Sequence, residues 1–318
     1  MVQANTLRNL SVYKAMRRQV ICLEQNKTID HGINTIIKHK VNALLVVDAQ
    51  LQPVGVVSKT DIMGAYYAGL PIDSPLEHIM LSPPLFCQAG DSLETALEQM
   101  RTSKVYRLYV TDDQSGELVG ALAYPDIVGL LYQYCHRCAY SHLNRKMQPD
   151  NNGEVPRFKV RELMAEGVKS LPMEATLTTV MEALSAYRFG AMLITDNNGR
   201  SAGVISKTDL ALSYKHGVSP SVAAHEVMSV PVYTCNAEAL LEHAIKKMIL
   251  ADIHRLFVHE GNVHTLIGVL SLTDAAPGRI GQGQDTDKSV LSLTDAARGR
   301  SGSCHGCVSS RIKVEDYG

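Results

Sequence analysis

The sequence predicts a mixed α/β protein built from four similar repeats that pair into two modules. A motif of glycine, a few apolar residues and aspartate occurs four times, at residues 55–61, 120–126, 203–209 and 268–274. The first and third copies lie 148 residues apart, and so do the second and fourth. Four methionines keep the same offset: Met16, Met80, Met164 and Met228. Repetition at a fixed period is typical of units that complete a core only against a neighbour.

Each repeat shows the same predicted order: a short apolar strand, a helix, an apolar strand, a turn, a strand that ends in the motif, and another helix. The middle strand, at residues 43–48 in the first repeat, is almost wholly apolar, as expected of a strand covered on both faces. Helical spacing of apolar side chains predicts the core face of the first helix in each repeat. These faces comprise Ile29, Ile33, Ile36 and Ile37; Leu93, Ala96, Leu97 and Met100; Leu177, Met181, Leu184 and Ser185; and Leu241, Ala244, Ile245 and Met248.

Composition bounds the class of protein. The chain has 318 residues, enough for about two ordinary domains, and 45% of them are apolar. No apolar run approaches the roughly 20 residues of a membrane span, and the N-terminus does not resemble a signal peptide, so we expect a cytoplasmic protein without a membrane partner. A net charge of −1 with mixed signs argues against nucleic acid as a partner. Seven cysteines, an odd number, argue against a disulfide framework.

The repeats resemble cystathionine β-synthase (CBS) domains, and each adjacent pair resembles a Bateman module. The resemblance rests on the Gly-hydrophobic-x-Ser-x-x-Asp motif, the apolar strands before it and the pairing in twos. It predicts repeats at residues 12–72, 73–135, 159–219 and 220–276, with a linker at 136–158 and a tail at 277–318. It implies that sheets pack about a pseudo-twofold axis in each module. Four repeats in one chain, as in the gamma subunit of AMP-activated kinase, are then expected to form an intramolecular disk, with a homodimer as the other arrangement.

The serine and aspartate of the motif have two interpretations. At a helix start, serine is a common N-cap and an acidic residue three positions later completes a capping box. Backbone N–H groups at such an end also attract phosphate, and a carboxylate accepts hydrogen bonds from ribose hydroxyls. The resemblance implies the second role in the cleft between paired repeats. The residues concerned are Ser58, Asp61, Ser206, Asp209, Ser271 and Asp274.

The second repeat departs from the pattern, because Ala123 replaces the serine before Asp126. The missing hydroxyl puts a ligand site at Asp126 in doubt.

The even repeats carry basic residues just before the middle strand, Lys104 with Arg107 and His254 with Arg255. A solvated side chain at a strand end is the simpler explanation. The resemblance instead implies phosphate binding, and guanidinium groups suit phosphate oxygens. We therefore expect each module to hold an adenine nucleotide, AMP, ADP or ATP, as a regulatory ligand.

Two Cys-x-x-Cys pairs lie outside the motifs, Cys135 with Cys138 and Cys304 with Cys307. Residues 269–279 are nearly duplicated at 290–300, an offset of 21, and subtracting this insertion places the two pairs at the 148-residue offset. We expect the first copy to form the native strand and residues 277–298 to loop out. Four thiolates suit tetrahedral zinc, while an iron–sulfur cluster, a redox dithiol and inert cysteines stay open.

No nucleophile elbow, Walker loop or metalloprotease helix is present, so the sequence does not predict an enzyme. The leading interpretation is a regulatory protein that senses adenine nucleotides for a protein partner. The alternative is a zinc, iron–sulfur or redox-linked scaffold in which the cysteines carry the function.

Overall fold

The computed structural model describes residues 10–137, 159–251 and 253–272. The first repeat contains α1 (Val12–Ala15), β1 (Cys22–Glu24), α2 (Ile29–Lys38), β2 (Ala43–Val47), β3 (Pro53–Ser58) and α3 (Lys59–Tyr67). The second contains β4 (Phe86–Gln88), α4 (Leu93–Thr102), β5 (Arg107–Thr111), β6 (Leu118–Ala123) and α5 (Tyr124–Arg137). The predicted order of strand, helix, strand, strand, helix is therefore confirmed in both.

The third repeat shows this order in full, and the fourth shows it as far as residue 272, where the described residues end. The third repeat contains β7 (Ala165–Glu166), β8 (Ser170–Pro172), α6 (Leu177–Ala186), β9 (Ala191–Thr195), β10 (Ser201–Ser206) and α7 (Lys207–Lys215). The fourth contains β11 (Thr234–Asn236), α8 (Leu241–Leu250), β12 (Arg255–His259) and β13 (Leu266–Ser271). Short 3-10 turns at Leu76–His78, Val160–Glu162 and Ala224–Glu226 lie near the starts of the second, third and fourth repeats.

Each repeat forms one small sheet with its apolar strand in the middle. In the first repeat, β2 pairs parallel with β1 and antiparallel with β3, and the other three repeats keep these directions. In the fourth repeat, β7 adds a further antiparallel strand beside β13. Every residue of β2 is buried, as its continuous apolar sequence predicts.

The first segment of each repeat packs on the other repeat of its module, and this exchange explains the spacing of the methionines. Met80 lies over Gly55, and a Cβ atom built on that glycine would lie 2.6 Å from the Met80 Sδ. The same contact joins the other three pairs, with distances from the built Cβ to Sδ of 2.6–2.9 Å: Met16 on Gly120, Met164 on Gly268 and Met228 on Gly203. Only glycine leaves room for the thioether, so the two repeated residues form one structural feature.

Two large cores cross between the modules. One core joins the first and third repeats, with Ile33 and Ile62 beside Val180 and Leu210. The other joins the second and fourth repeats, together with the N-terminal segment around Val12. A smaller cluster joins the sheets of the first two repeats through Leu45, Val47, Tyr109 and Ala121. The four repeats therefore associate within one chain.

The predicted helical core faces are almost all buried. Ile29, Ile33 and Ile36 are fully or nearly fully buried, and so are Leu177, Met181 and Leu184 on α6. The prediction was wrong for Ser185, which is exposed because it sits beside rather than on the apolar stripe of α6. Ile37 is partly buried against the same core.

The strand β13 uses the first copy of the duplicated segment, as expected. In this position the Gly268 Cα lies against the Ala165 carbonyl and Met164, so a built Cβ would meet the carbonyl oxygen at 2.6 Å. The second copy offers Ser289 at the equivalent place. Its Cβ would clash with backbone, which favours the first copy. Residues 277–318, including the expected loop, lie outside the described residues.

Within the described ranges, no helix combines the length and apolar character needed to cross a membrane.

Candidate functional site

The motifs of the odd repeats form complete capping boxes. The Ser58 side chain accepts from the backbone N–H groups of Thr60 and Asp61, and Asp61 Oδ2 accepts from the Ser58 N–H and Oγ–H, each at 2.7 Å. Ser206 and Asp209 repeat this arrangement at the start of α7, with distances of 2.7 and 2.6 Å. The capping role considered for these residues is therefore present, and it fixes both carboxylates at the helix starts.

The two odd motifs face each other across the approximate twofold axis between the first and third repeats. Lys59 Nζ donates to Thr208 Oγ1 at 2.9 Å, and Lys207 Nζ donates to Thr60 Oγ1 at 2.8 Å. Reciprocal bonds of this kind are typical of an interface about a twofold axis. The interface brings the helix starts of both repeats, with their partial positive charges, to one place.

Two charged groups with shifted pKa values, Lys207 and Asp61, lie near this contact. Burial lowers the pKa of the Lys207 ammonium, with Asp61 opposing and Arg255 reinforcing the shift. Burial also raises the pKa of the Asp61 carboxyl, against the lowering effects of the Ser58 bonds and the Lys207 charge. Lys207 Nζ bonds to Thr60, the neighbour of Asp61, so the first and third repeats are close here, and the Arg255 charge of the fourth repeat also acts on Lys207. Two cations and one carboxylate suit a ligand that carries both phosphate and hydroxyl groups.

Arg107 and Arg255 occupy equivalent positions and each reaches into the odd repeat of its module. Arg107 Nη1 donates to the Ala43 carbonyl oxygen at 2.6 Å, and Arg255 Nη1 donates to the Ala191 carbonyl oxygen at 2.8 Å. The Arg255 guanidinium also lies over the Phe189 ring, 5.8 Å from its centroid. These bonds hold the guanidinium groups at the junction between repeats, and a guanidinium has five N–H donors to distribute.

Asp126, whose motif lacks the serine, forms a hydrogen bond and an ion pair within the protein. Its Oδ2 accepts from the Ala123 N–H at 2.9 Å, and its Oδ1 pairs with Arg17 Nε at 2.5 Å. The Asp126 side chain is only 8% exposed. The ion pair is at Oδ1, so Oδ2 keeps the backbone bond to Ala123 without the hydroxyl bond that the motif serine makes in the odd repeats.

The other predicted ligand-binding residues lie at the ends of helices and strands or outside the described residues. Lys104 follows α4 in the left-handed conformation at φ 56° and is exposed. The His254 carbonyl oxygen accepts from the Leu272 N–H at 3.0 Å, next to Ser271 at the end of β13. Asp274 lies outside the described residues.

The cysteine prediction also falls mostly outside the described part of the chain. Cys135 belongs to the last turn of α5, and Cys138, Cys304 and Cys307 lie outside the described residues. Among the described side chains, no group of three or more His, Cys, Asp or Glu is placed to hold a metal ion. The zinc site stays a prediction.

Sequence reasoning missed the two lysines and the threonines that pair with them. A signal was present, because the Ser-Lys-Thr-Asp sequence is identical at 58–61 and 206–209 although only Ser and Asp are needed for capping. It also missed Arg17 and Ser229, which contact motif aspartates of neighbouring segments.

A model of the CBS domain matches the chain four times, at residues 11–68, 76–132, 160–215 and 224–276. The chain belongs to the CBS domain family. The four matches correspond to the four repeats of the structure, so the resemblance read from the motifs is confirmed. The aspartates of the CBS motifs, Asp61, Asp126, Asp209 and Asp274, fall within successive matches.

Two archaeal proteins are similar to this chain. Uncharacterized protein MJ1225 of Methanocaldococcus jannaschii is 24% identical over 202 residues, which are 64% of this chain and 69% of that protein. The crystal structure of MJ1225, described as a proposed archaeal homologue of g-AMPK, superposes with a TM-score of 0.66 at 17% identity and covers 83% of this chain and 98% of its own. An uncharacterized conserved protein from Pyrococcus horikoshii gives a TM-score of 0.53 at 19% identity, with 83% and 97% covered. These likenesses show the four-repeat fold.

Proposed function

We propose that the protein is a regulatory CBS protein that binds an adenine nucleotide, AMP, ADP or ATP, where its odd repeats meet. Asp61 accepts the ribose hydroxyls, and Lys207 and Arg255 bind phosphate. The observation that carries the proposal is that Lys207 Nζ donates to Thr60 Oγ1, next to Asp61, at 2.8 Å, where the Arg255 charge also acts on Lys207.

The charge balance at this point supports an anionic ligand. Burial is the main cause of the lowered Lys207 pKa, Asp61 opposes it, and Arg255 adds a smaller lowering. Lys207 and Arg255 carry two positive charges and Asp61 carries one negative charge, so one positive charge is left over. A phosphate group would neutralise the remaining charge, and charge-assisted bonds to phosphate are stronger than bonds between neutral groups.

A regulatory role follows from the position of the site. A ligand held by the first, third and fourth repeats would stabilise the packing between modules, since it binds only the assembled arrangement. A protein partner that contacts both modules would then respond to nucleotide concentration.

Calorimetric titration of the full chain with AMP, ADP, ATP and S-adenosylmethionine tests the proposal. We expect Lys207→Met and Asp61→Asn to weaken binding of the preferred nucleotide roughly tenfold or more, since each removes a charged hydrogen-bonding partner. Lys169→Met is the matched control, because Lys169 lies on the surface over the Tyr187 ring. Loss of binding through unfolding is not expected for Lys207→Met, because burial already disfavours the Lys207 charge. Absence of heat with all four compounds would contradict the proposal.

A further inference from the structure

One residue position recurs beside the motif of every repeat. It directly follows each repeated methionine and is occupied by Arg17, Leu81, Ala165 and Ser229. The backbone places the four residues equivalently, because each pairs with the last strand of the neighbouring repeat: Arg17 with Ala121, Leu81 with Val56, Ala165 with Val269 and Ser229 with Val204.

Two of these residues bond to a carboxylate oxygen of a motif aspartate. Ser229 Oγ donates to Asp209 Oδ1 at 2.7 Å, while Asp209 Oδ2 accepts from Ser206. Arg17 Nε contacts Asp126 Oδ1 at 2.5 Å, while Asp126 Oδ2 accepts from Ala123. Both oxygens of Asp209 and of Asp126 are therefore engaged by the chain itself.

Asp61 differs, because the equivalent residue Leu81 has no side-chain donor. The bonds that Asp61 accepts from Ser58 both go to Oδ2. Asp61 is half-buried beside the Lys207 charge, and burial raises its pKa, so an added hydrogen-bond donor would be favourable there.

We infer that the residue after each repeated methionine decides which motif aspartate accepts a ligand, and that among the described motifs Asp61 is the receptive one. The inference rests on the proposed function, since it assigns the nucleotide to one of several similar clefts. A ribose hydroxyl must replace an existing internal bond at Asp209 or Asp126, whereas at Asp61 it adds one. Replacing a hydrogen bond to a charged group costs enough to change affinity about tenfold.

The test exchanges the two residues in both directions. Leu81→Ser should close the Asp61 site and weaken nucleotide binding roughly tenfold, and Ser229→Ala should open the Asp209 site and add a second binding event. Leu81 is 66% exposed and Ser229 is also exposed, so neither change disturbs a core. Leu81→Ala is the matched control for lost apolar surface and should bind as the original chain does. Each variant is titrated with AMP, ADP and ATP as the full chain.

The outcomes separate this inference from the proposed function. Binding that Asp209→Asn abolishes and Asp61→Asn leaves intact would overturn the inference and keep the function. Equal binding by the original chain, Leu81→Ser and Ser229→Ala would do the same. No binding by the original chain, with binding gained by Ser229→Ala or Arg17→Ala, would overturn the proposed function and the assignment to Asp61, although the residue after the methionine would still control the other motifs. No binding by any of these proteins would overturn both.

Discussion

Each motif requires a glycine because a methionine side chain from the other repeat of the module packs against it. A Cβ atom on Gly55 would lie 2.6 Å from the Met80 Sδ and 3.1 Å from the Leu81 carbonyl oxygen. Gly64 also lies in the first repeat, on the exposed side of α3, and nothing lies within 4 Å of its built Cβ. The same substitution at these two glycines therefore has opposite consequences.

We expect Gly55→Ala to destabilise the protein by about 1–3 kcal/mol, the usual cost of overpacking. Gly64→Ala should stabilise it by up to about 1 kcal/mol, because alanine favours a helix interior over glycine. Urea unfolding measures both. The double variant Gly55→Ala, Met80→Ala should recover part of the loss, and strictly additive effects would contradict a direct contact.

How much of the site follows from sequence depends on the distance over which its residues act. The bonds between Ser58 and Asp61 were predictable because capping spans three residues of one chain segment. The approach of Lys207 to Asp61 was not, since it depends on how the third repeat packs on the first. Likewise, Leu81 and Ser229 lie beside the motifs only through strand pairing, which depends on the fold.

At the scale of elements, the α3 and α7 helices make a near-symmetric contact through tyrosines. The Tyr66 and Tyr214 rings stack with centroids 5.0 Å apart and planes inclined by 17°. Tyr66 Oη donates to the Val218 carbonyl oxygen and Tyr214 Oη to the Leu70 carbonyl oxygen, each at 2.6 Å. Burial raises the pKa of Tyr66 to about 12, so the hydroxyl stays a donor at neutral pH.

Tyr66→Phe should keep the stack and lose about 1 kcal/mol of stability, the typical value of one hydrogen bond. Tyr67→Phe is the control, because Tyr67 is 52% exposed and its bond to Glu182 lies at the surface. Chemical denaturation of both variants compares them. An equal loss in both would show that the hydroxyl of Tyr66 has no special role at the contact between α3 and α7.

The elements themselves were predictable because apolar residues repeat with helical or continuous spacing. The faces of α4 and α8 are buried as their sequences predict. The exchange of segments such as α1, which packs with the second and fourth repeats, was not predictable. A four-residue helix has too few residues to show a pattern, and its partner is defined only by the fold.

At the scale of the whole molecule, each half of the chain leaves a large apolar surface for the other half. The core that joins the first and third repeats includes Ile62, Met63 and Tyr66 from α3 and their counterparts on α7. A half-chain of residues 1–158 would expose its share of this core. Exposed apolar patches of that kind favour association.

The two modules are alike enough for one to replace the other. Residues 58–61 and 206–209 are identical, and Lys59 and Lys207 make reciprocal bonds to Thr208 and Thr60. Two copies of residues 1–158 can therefore make the same bonds about a true twofold axis, with Lys59 of each copy donating to Thr60 of the other. We expect this half-chain to fold as a dimer, which sedimentation velocity measures directly.

Tyr66→Lys in the half-chain places a charge in the expected contact between copies and should shift the dimer toward monomer. Tyr13→Lys is the matched control, because Tyr13 is 47% exposed on α1. The prediction concerns the same surfaces that join the modules in the intact chain. A half-chain that is folded and monomeric, and whose sedimentation does not change with Tyr66→Lys, would contradict it. A dimer that Tyr66→Lys dissociates and Tyr13→Lys leaves intact would show that the packing of α3 against its counterpart holds the four repeats together.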